Sequence, residues 1–155
     1  MEQQILKKYS LLDQLNVPRE TYLDFEHFIQ MINDKNKEIN IISRKNTKKE
    51  EIRERHIIDS AQIIDFIDLN SNTTTDLGSG GGMPGIVIAI LMKNLKKEMK
   101  FNLYEKSYHK SLFLKDVSRK LSLDTEIIQR DIFLIKKLKS GTIMARAFKP
   151  LPVVL

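Results

Sequence analysis

Five glycines fall within eight residues, at positions 78, 80, 81, 82 and 85 of Asp76-Leu77-Gly78-Ser79-Gly80-Gly81-Gly82-Met83-Pro84-Gly85. The residues before them, Thr73-Thr74-Thr75-Asp76-Leu77, form a short β-branched run that reads as a strand. The residues after them are apolar from Ile86 to Met92 and continue to about Leu95, which reads as a helix with Pro84 near its start. The glycines therefore join a strand to a helix. There they let the chain turn with positive φ and let a ligand touch backbone without meeting a Cβ. The helix start adds free N–H groups and the positive end of a dipole. Such a corner suits an anionic group of a nucleotide-like ligand; a tight turn with no ligand is the plainer alternative.

The rest of the chain arranges itself around this corner. Residues 1–70 read as a helical segment and 71–155 as a core of alternating strands and helices, together one structural domain, as 155 residues favour. Ile5, Leu6, Tyr9, Leu12 and Leu15 share a helical face, Pro18 opens a second helix, and Tyr22, Phe25, Phe28, Ile29 and Ile32 make its buried stripe. Asn40-Ile41-Ile42-Ser43 looks extended. Thr47-Lys48-Lys49-Glu50 has the spacing of a capping box, and the helix it opens carries Arg55-His56-Ile57-Ile58-Asp59-Ser60. Beyond the glycines come a strand from Phe101 to Glu105, a helix from Ser107 to Leu121 with spacing through Tyr108, Leu112, Leu114, Val117 and Leu121, a strand from Thr125 to Gln129, and a fourth from Thr142 to Ala145. That order predicts an α/β fold, a parallel sheet with right-handed crossovers and about four strands.

Composition removes some chemistries. Cysteine is absent, which excludes disulfides, thiolate metal sites and cysteine nucleophiles. No apolar run is long enough to cross a bilayer and the first residues do not resemble a secretory leader, so the expectation is a cytoplasmic protein without membrane contact. The net charge of +6 arises wholly beyond residue 60, in Lys93–Lys97, the stretch Lys106–Lys120, and Lys136–Lys139. A basic face suits a polyanion such as nucleic acid, although a lysine-rich solvated surface would look the same.

Three ligands compete for the loop. A Walker loop ends in Gly-Lys-Ser/Thr, where this chain has Met83-Pro84-Gly85, so a nucleoside triphosphate is disfavoured. Gly80, Gly82 and Gly85 satisfy the dinucleotide pattern literally, but Pro84 falls inside it. Asp76 through Gly82 matches the acid-x-Gly-x-Gly-x-Gly loop of S-adenosylmethionine (SAM)-dependent methyltransferases, with Asp76 placed to serve the ammonium directly or through water. A nucleoside at the first strand also needs a carboxylate at the end of the neighbouring strand for its ribose hydroxyls. Glu105 stands there, 23 residues beyond Gly82.

Arg55-His56-Ile57-Ile58-Asp59-Ser60, then Asp76 to Gly85, then Ala145-Arg146-Ala147-Phe148 resemble, in order and spacing, three signatures of the bacterial small-subunit ribosomal RNA guanine-N7 methyltransferases, also called glucose-inhibited division protein B. The resemblance covers about residues 20–155, and the Gly-Met-Pro-Gly extension makes it more specific than a generic glycine loop. It implies a Rossmann-like class I SAM-dependent fold. It also implies cofactor contacts from Gly78, Gly80, Gly82, Met83, Asp131, Ile132 and Arg146 beside Glu105. The implied partner is 16S rRNA or the small ribosomal subunit, met by a monomer. The family continues past this point with further strands that complete a seven-stranded sheet.

Guanine N7 carries an in-plane lone pair and no proton, so methylation there needs no catalytic base, and none is assigned; no metal site is expected. Methylation at pyrimidine C5 would need the missing cysteine, and the exocyclic-amino methylases carry Asn/Asp-Pro-Pro-aromatic where Arg146-Ala147-Phe148 stands. His56 and Asp59, three apart on one helical face, can meet, but neither receives a chemical step. His27 and His109 read as solvent or packing residues. Two alternatives stay open: a truncated RNA-binding remnant without catalysis, and a nicotinamide-dependent enzyme.

Overall fold

The computed structural model describes residues 1–43 and 48–146. Its centre is a four-stranded, fully parallel sheet of β1 (Thr73–Leu77), β2 (Lys100–Tyr104), β3 (Thr125–Ile128) and β4 (Thr142–Ala145), in the order β3-β2-β1-β4. The chain steps outward from β1 to β3 and then returns to the far side of β1. That reversal leaves a crevice beyond the carboxyl ends of β1 and β4, the usual ligand position in open α/β sheets. The Thr47 start of the third helix and the residues from Ala147 onward lie outside the described residues.

The helices are α1 (Glu2–Lys8), α2 (Arg19–Lys35), α3 (Lys49–Ile52), α4 (Asp59–Ala61), α5 (Gly85–Asn94) and α6 (Tyr108–Lys120). Helix α5 is apolar on every side, and each residue from Gly85 to Met92 is buried. Such a helix needs cover all round. The sheet covers one side, and α2 and α4 pack on the other. The predicted α2 stripe of Tyr22, Phe25, Phe28, Ile29 and Ile32 is buried as expected. Full burial of a side chain such as Phe25 or Phe28 contributes about 1.5–3 kcal/mol. One hydrophobic cluster runs from Tyr9 to Met144 through both parts of the chain.

Polar pairs pin the helical layer in register. Arg53, with its side chain 5% exposed, donates from Nε and Nη2 to the two carboxylate oxygens of Glu26 at 2.7 and 3.0 Å. Tyr9 Oη donates to the same carboxylate at 2.8 Å. Lys93 and Asn94 at the end of α5 both reach Asp24 of α2, at 2.7 and 2.9 Å.

Several local expectations are corrected. Leu6 is largely exposed, because α1 stops at Lys8 and a 3-10 turn over Ser10–Leu15 carries Leu12 inward instead. Ile41 and Ile42 are not a strand: both backbone N–H groups donate to Asn36 Oδ1, at 2.9 and 3.0 Å, which folds the segment into a bend. The third helix is irregular, with a π-helical stretch over Arg53–Ile58 and a 3-10 turn over Gln62–Phe66. On α6, Tyr108 is 57% and Leu112 44% exposed, while Ser111 and Phe113 join Leu114 and Val117 inside. Ser111 is drawn inward because its Oγ donates to the Glu105 carbonyl at 3.0 Å. Among the described residues no helix is long and apolar enough to cross a membrane.

Candidate functional site

The glycine loop leaves β1 with Gly78, Gly80 and Gly82 at φ of 71°, 55° and 94°, so the positive dihedrals expected of these glycines are present. At Gly80 a Cβ would meet nothing nearer than the Gly78 carbonyl at 3.9 Å, leaving its outer face open to a ligand. At Gly85 a Cβ would sit 2.5 Å from both Asp76 Oδ2 and Leu103 Cδ2. Glycine there lets the helix start close against the sheet.

Two carboxylates hold this loop. Glu105, immediately after β2, accepts from Gly80 N–H at 2.7 Å and from Ser107 N–H at 2.9 Å. The strand-end acid therefore points at the glycine bend, and each of its oxygens has a spare lone pair. Asp76 is 1% exposed and accepts from Gly85 N–H at 3.0 Å through Oδ2, while Oδ1 has no hydrogen-bond partner among the described residues. Burial pushes its carboxyl up to about 7, with the nearby Glu105 charge acting in the same direction. Asp76 thus faces the start of α5 and is not among the residues that line the cavity, although the sequence reading placed it to serve the ammonium directly or through water.

A cavity of about 740 Å³ opens beyond the strand ends. Gly78, Gly80, Met83, Glu105, Asp131, Ile132 and Arg146 all line it, so seven of the eight sequence-selected positions come together. Gly82 does not; it is buried, with a Cβ position 2.6 Å from Ile86 Cγ1. Asp131 accepts from Phe133 N–H at 3.0 Å, which turns the chain after β3 into a short 3-10 segment over Ile132–Leu134. Arg146 donates to Ser60 Oγ and to the Arg55 carbonyl, both at 3.1 Å, and pairs with Asp59 at 3.1 Å. Asp59, whose spacing allowed it to meet His56, thus engages Arg146. The segment at 55–60 and the end of β4 are joined through this one guanidinium.

The cavity also gathers residues that sequence reasoning left out: Lys106, Lys110 and Arg130 on its rim, with Tyr104 and Phe133 beside them. The basic stretch from Lys106 was visible as charge, but charge alone does not say which way a lysine faces. His56 lines the cavity too, and its Nε2 is buried with no hydrogen-bond partner among the described residues. Burial and the Arg146 charge lower its pKa, against the opposing influence of Asp59. Among the described residues there is no cluster of side chains arranged to hold a metal ion.

Comparison with known proteins bears on family and fold. The family model described as rRNA small subunit methyltransferase G matches residues 21–155. A protein of Pelagibacter ubique named ribosomal RNA small subunit methyltransferase G is 61% identical over 153 residues, covering 99% of this chain and 72% of its own. One of the same name from Cereibacter sphaeroides is 36% identical over 143 residues, covering 92% of this chain and 68% of its own. Among solved structures, coclaurine N-methyltransferase bound to N-methylheliamine and SAH superposes with a TM-score of 0.50 at 17% identity, over 92% of this chain and 47% of that one. At that identity the likeness concerns the fold, a Rossmann-like class I methyltransferase sheet. By its sequence match and its sheet, the chain belongs to the rRNA small subunit methyltransferase G family.

Proposed function

We propose that the chain transfers the methyl group of SAM to N7 of a guanine in 16S rRNA. The observation that carries this reading is the bond from Gly80 N–H to Glu105, which unites the glycine loop and the strand-end acid in one cavity. The cavity volume lies within the range usual for cofactor sites. Glu105 is placed to receive the ribose hydroxyls, Asp131 and Ile132 the adenine edge, and Gly78, Gly80 and Met83 the tail. Arg146 stands at the far end, fixed by Ser60, Asp59 and the Arg55 carbonyl. Gly82 supports the turn from behind.

SAM, when bound, supplies an electrophilic methyl group on a sulfonium. Guanine N7 offers a lone pair without a proton, so the chain need supply no base. Its work is alignment, and orienting two reactants can lower a barrier by about 7–11 kcal/mol. Lys106, Lys110 and Arg130 on the rim are positioned to meet RNA phosphates and hold the strand over the cavity. N7 must be offered from an open or distorted region, because the A-form major groove is closed to side chains.

We read residues 1–70 as a helical segment packed on the core of 71–155, acting as a monomer in the cytoplasm on the small ribosomal subunit. The test is incubation of the full chain with tritiated SAM and unmethylated small-subunit particles. Label in N7-methylguanosine after nuclease digestion is the expected result. RNA binding with no label would favour a non-catalytic remnant, and heat with NAD but not SAM a nicotinamide enzyme.

A further inference from the structure

Helix α6 starts directly behind Glu105, and its first turn is tied to that residue. Ser107 N–H donates to the Glu105 carboxylate at 2.9 Å, and Ser111 Oγ donates to the Glu105 carbonyl at 3.0 Å. The outer face of α6 is therefore held at a fixed place relative to the cavity. Phe113, Leu114 and Val117 supply the buried side of the helix, yet Tyr108 is 57% and Leu112 44% exposed. Tyr108, Leu112, Lys115 and Arg119 are spaced by four, three and four residues, which sets them along one side of the helix. Among the described residues the ring contact of Tyr108 is with His109, edge-on at 5.5 Å between centroids. At least one face of the tyrosine ring is thus without an aromatic neighbour.

The charge around these exposed apolar groups has one sign. Residues 106–120 hold Lys106, Lys110, Lys115, Arg119 and Lys120 against the single acid Asp116. Asp116 pairs with Arg119 and Lys120 at 2.8 and 3.0 Å, and Lys106, Lys110 and Lys115 have no ion pair among the described residues. Lys106 and Lys110, two residues before and after Tyr108, line the cavity, as does Arg130 after β3. The exposed ring therefore lies in a basic field continuous with the cavity rim. Protein-binding patches are depleted of lysine. Single-stranded nucleic acid is held by the opposite combination, in which cations follow the backbone and an aromatic ring stacks on a base of any identity. We infer that the outer face of α6 is a track for unpaired RNA, with Tyr108 stacking on a nucleotide that flanks the target guanine and Lys106, Lys110 and Lys115 holding its phosphates. The inference rests on the proposed function and adds a contact outside the cavity that positions the strand. Such a contact answers a physical need, because N7 is offered only from open RNA and a stacked neighbour keeps the strand open.

The experiment compares Tyr108→Ala, Tyr108→Phe and Tyr108→Leu with the wild type, in titration with S-adenosylhomocysteine and in methylation of unmethylated small-subunit particles. Phenylalanine keeps the planar ring, whereas leucine keeps apolar bulk without one. The expected result is a KM for particles raised about 10-fold in Tyr108→Ala, with kcat and cofactor affinity within about two-fold of wild type. Tyr108→Phe should stay near wild type and Tyr108→Leu near Tyr108→Ala. In a second arm, p-azidophenylalanine is placed at position 108 and irradiated on the particle, and the expected crosslink is to 16S rRNA. Rescue by Leu as complete as by Phe, or a crosslink to ribosomal protein alone, would assign the face to a protein partner and overturn the inference. An unchanged KM in Tyr108→Ala, or cofactor affinity falling in step with turnover, would overturn it as well. Should Tyr108→Ala melt early, the Phe and Leu pair decides together with the crosslink. A wild type that neither binds S-adenosylhomocysteine nor methylates particles would remove the proposed function itself, whereas an active wild type with indifferent Tyr108 variants would remove only this inference.

Discussion

Replacement of Asp76 by asparagine isolates a buried charge whose cost depends on pH. The carboxyl is sealed behind the glycine loop and its pKa is pushed from 3.8 to about 7. A group raised on folding leaves stability intact below its unfolded pKa and removes it as pH rises through the folded value. The loss therefore develops between about pH 4 and pH 7 and is complete above it. Each pKa unit is worth 1.36 kcal/mol, so the full loss is about 4 kcal/mol. The asparagine would keep an oxygen for Gly85 N–H and place its NH2 where Oδ1 now has no partner, a pH-independent cost of about 1–3 kcal/mol. Asp76→Asn should thus be the less stable protein at pH 4.5 and equal to or more stable than wild type at pH 8. Urea unfolding of both proteins, without cofactor, at half-unit steps of pH would measure it. Between pH 4.5 and pH 8 the free-energy difference between them should move by about 3 kcal/mol toward the variant. A difference that stays flat from pH 4.5 to 8 would refute the claim that burial raises the Asp76 pKa on folding.

Further outcomes follow from the same contacts. Glu105→Gln puts an amide where Gly80 and Ser107 both donate, and should weaken SAM or S-adenosylhomocysteine binding by 10-fold or more, about 1.4 kcal/mol, in calorimetry. Gly80→Asp, at φ of 55° and facing open space, should leave urea stability within about 2 kcal/mol of wild type yet abolish cofactor heat. Glu26→Ala leaves the Arg53 guanidinium buried without its carboxylate and should cost on the order of 3 kcal/mol in chemical denaturation. Lys106→Glu with Lys110→Glu should weaken RNA binding and flatten its salt dependence, while cofactor affinity stays unchanged.

The core of the fold was legible because its signals were local and redundant. The Thr73–Leu77 run, the glycines and the apolar α5 segment each constrain the others, and β2 to β4 follow the same alternation. The place of Glu105 beside the glycine loop could be chosen in advance because it depends only on being at the end of the neighbouring strand. Other features depended on partners distant in sequence. Asn36 folds Ile41 and Ile42 into a bend through its side chain, which no strand propensity reveals. Ser111 turns inward for the Glu105 carbonyl, rotating α6 so that Tyr108 and Leu112 face out. Asp76 was read as serving the ammonium, directly or through water, because its place in the motif does not say which way it points; the close approach of Gly85 takes it to the helix start. His56 gave no sequence sign of a place in the cavity wall, since that depends on how its segment meets the end of β4.

The most direct trial is calorimetric titration of the folded protein with S-adenosylhomocysteine beside NAD. The account predicts one site per chain that takes the sulfur nucleoside, ignores the dinucleotide, and is lost in Glu105→Ala while the thermal midpoint stays high enough to show a folded protein. Binding that persists undiminished in Glu105→Ala, or a preference for NAD, would contradict it.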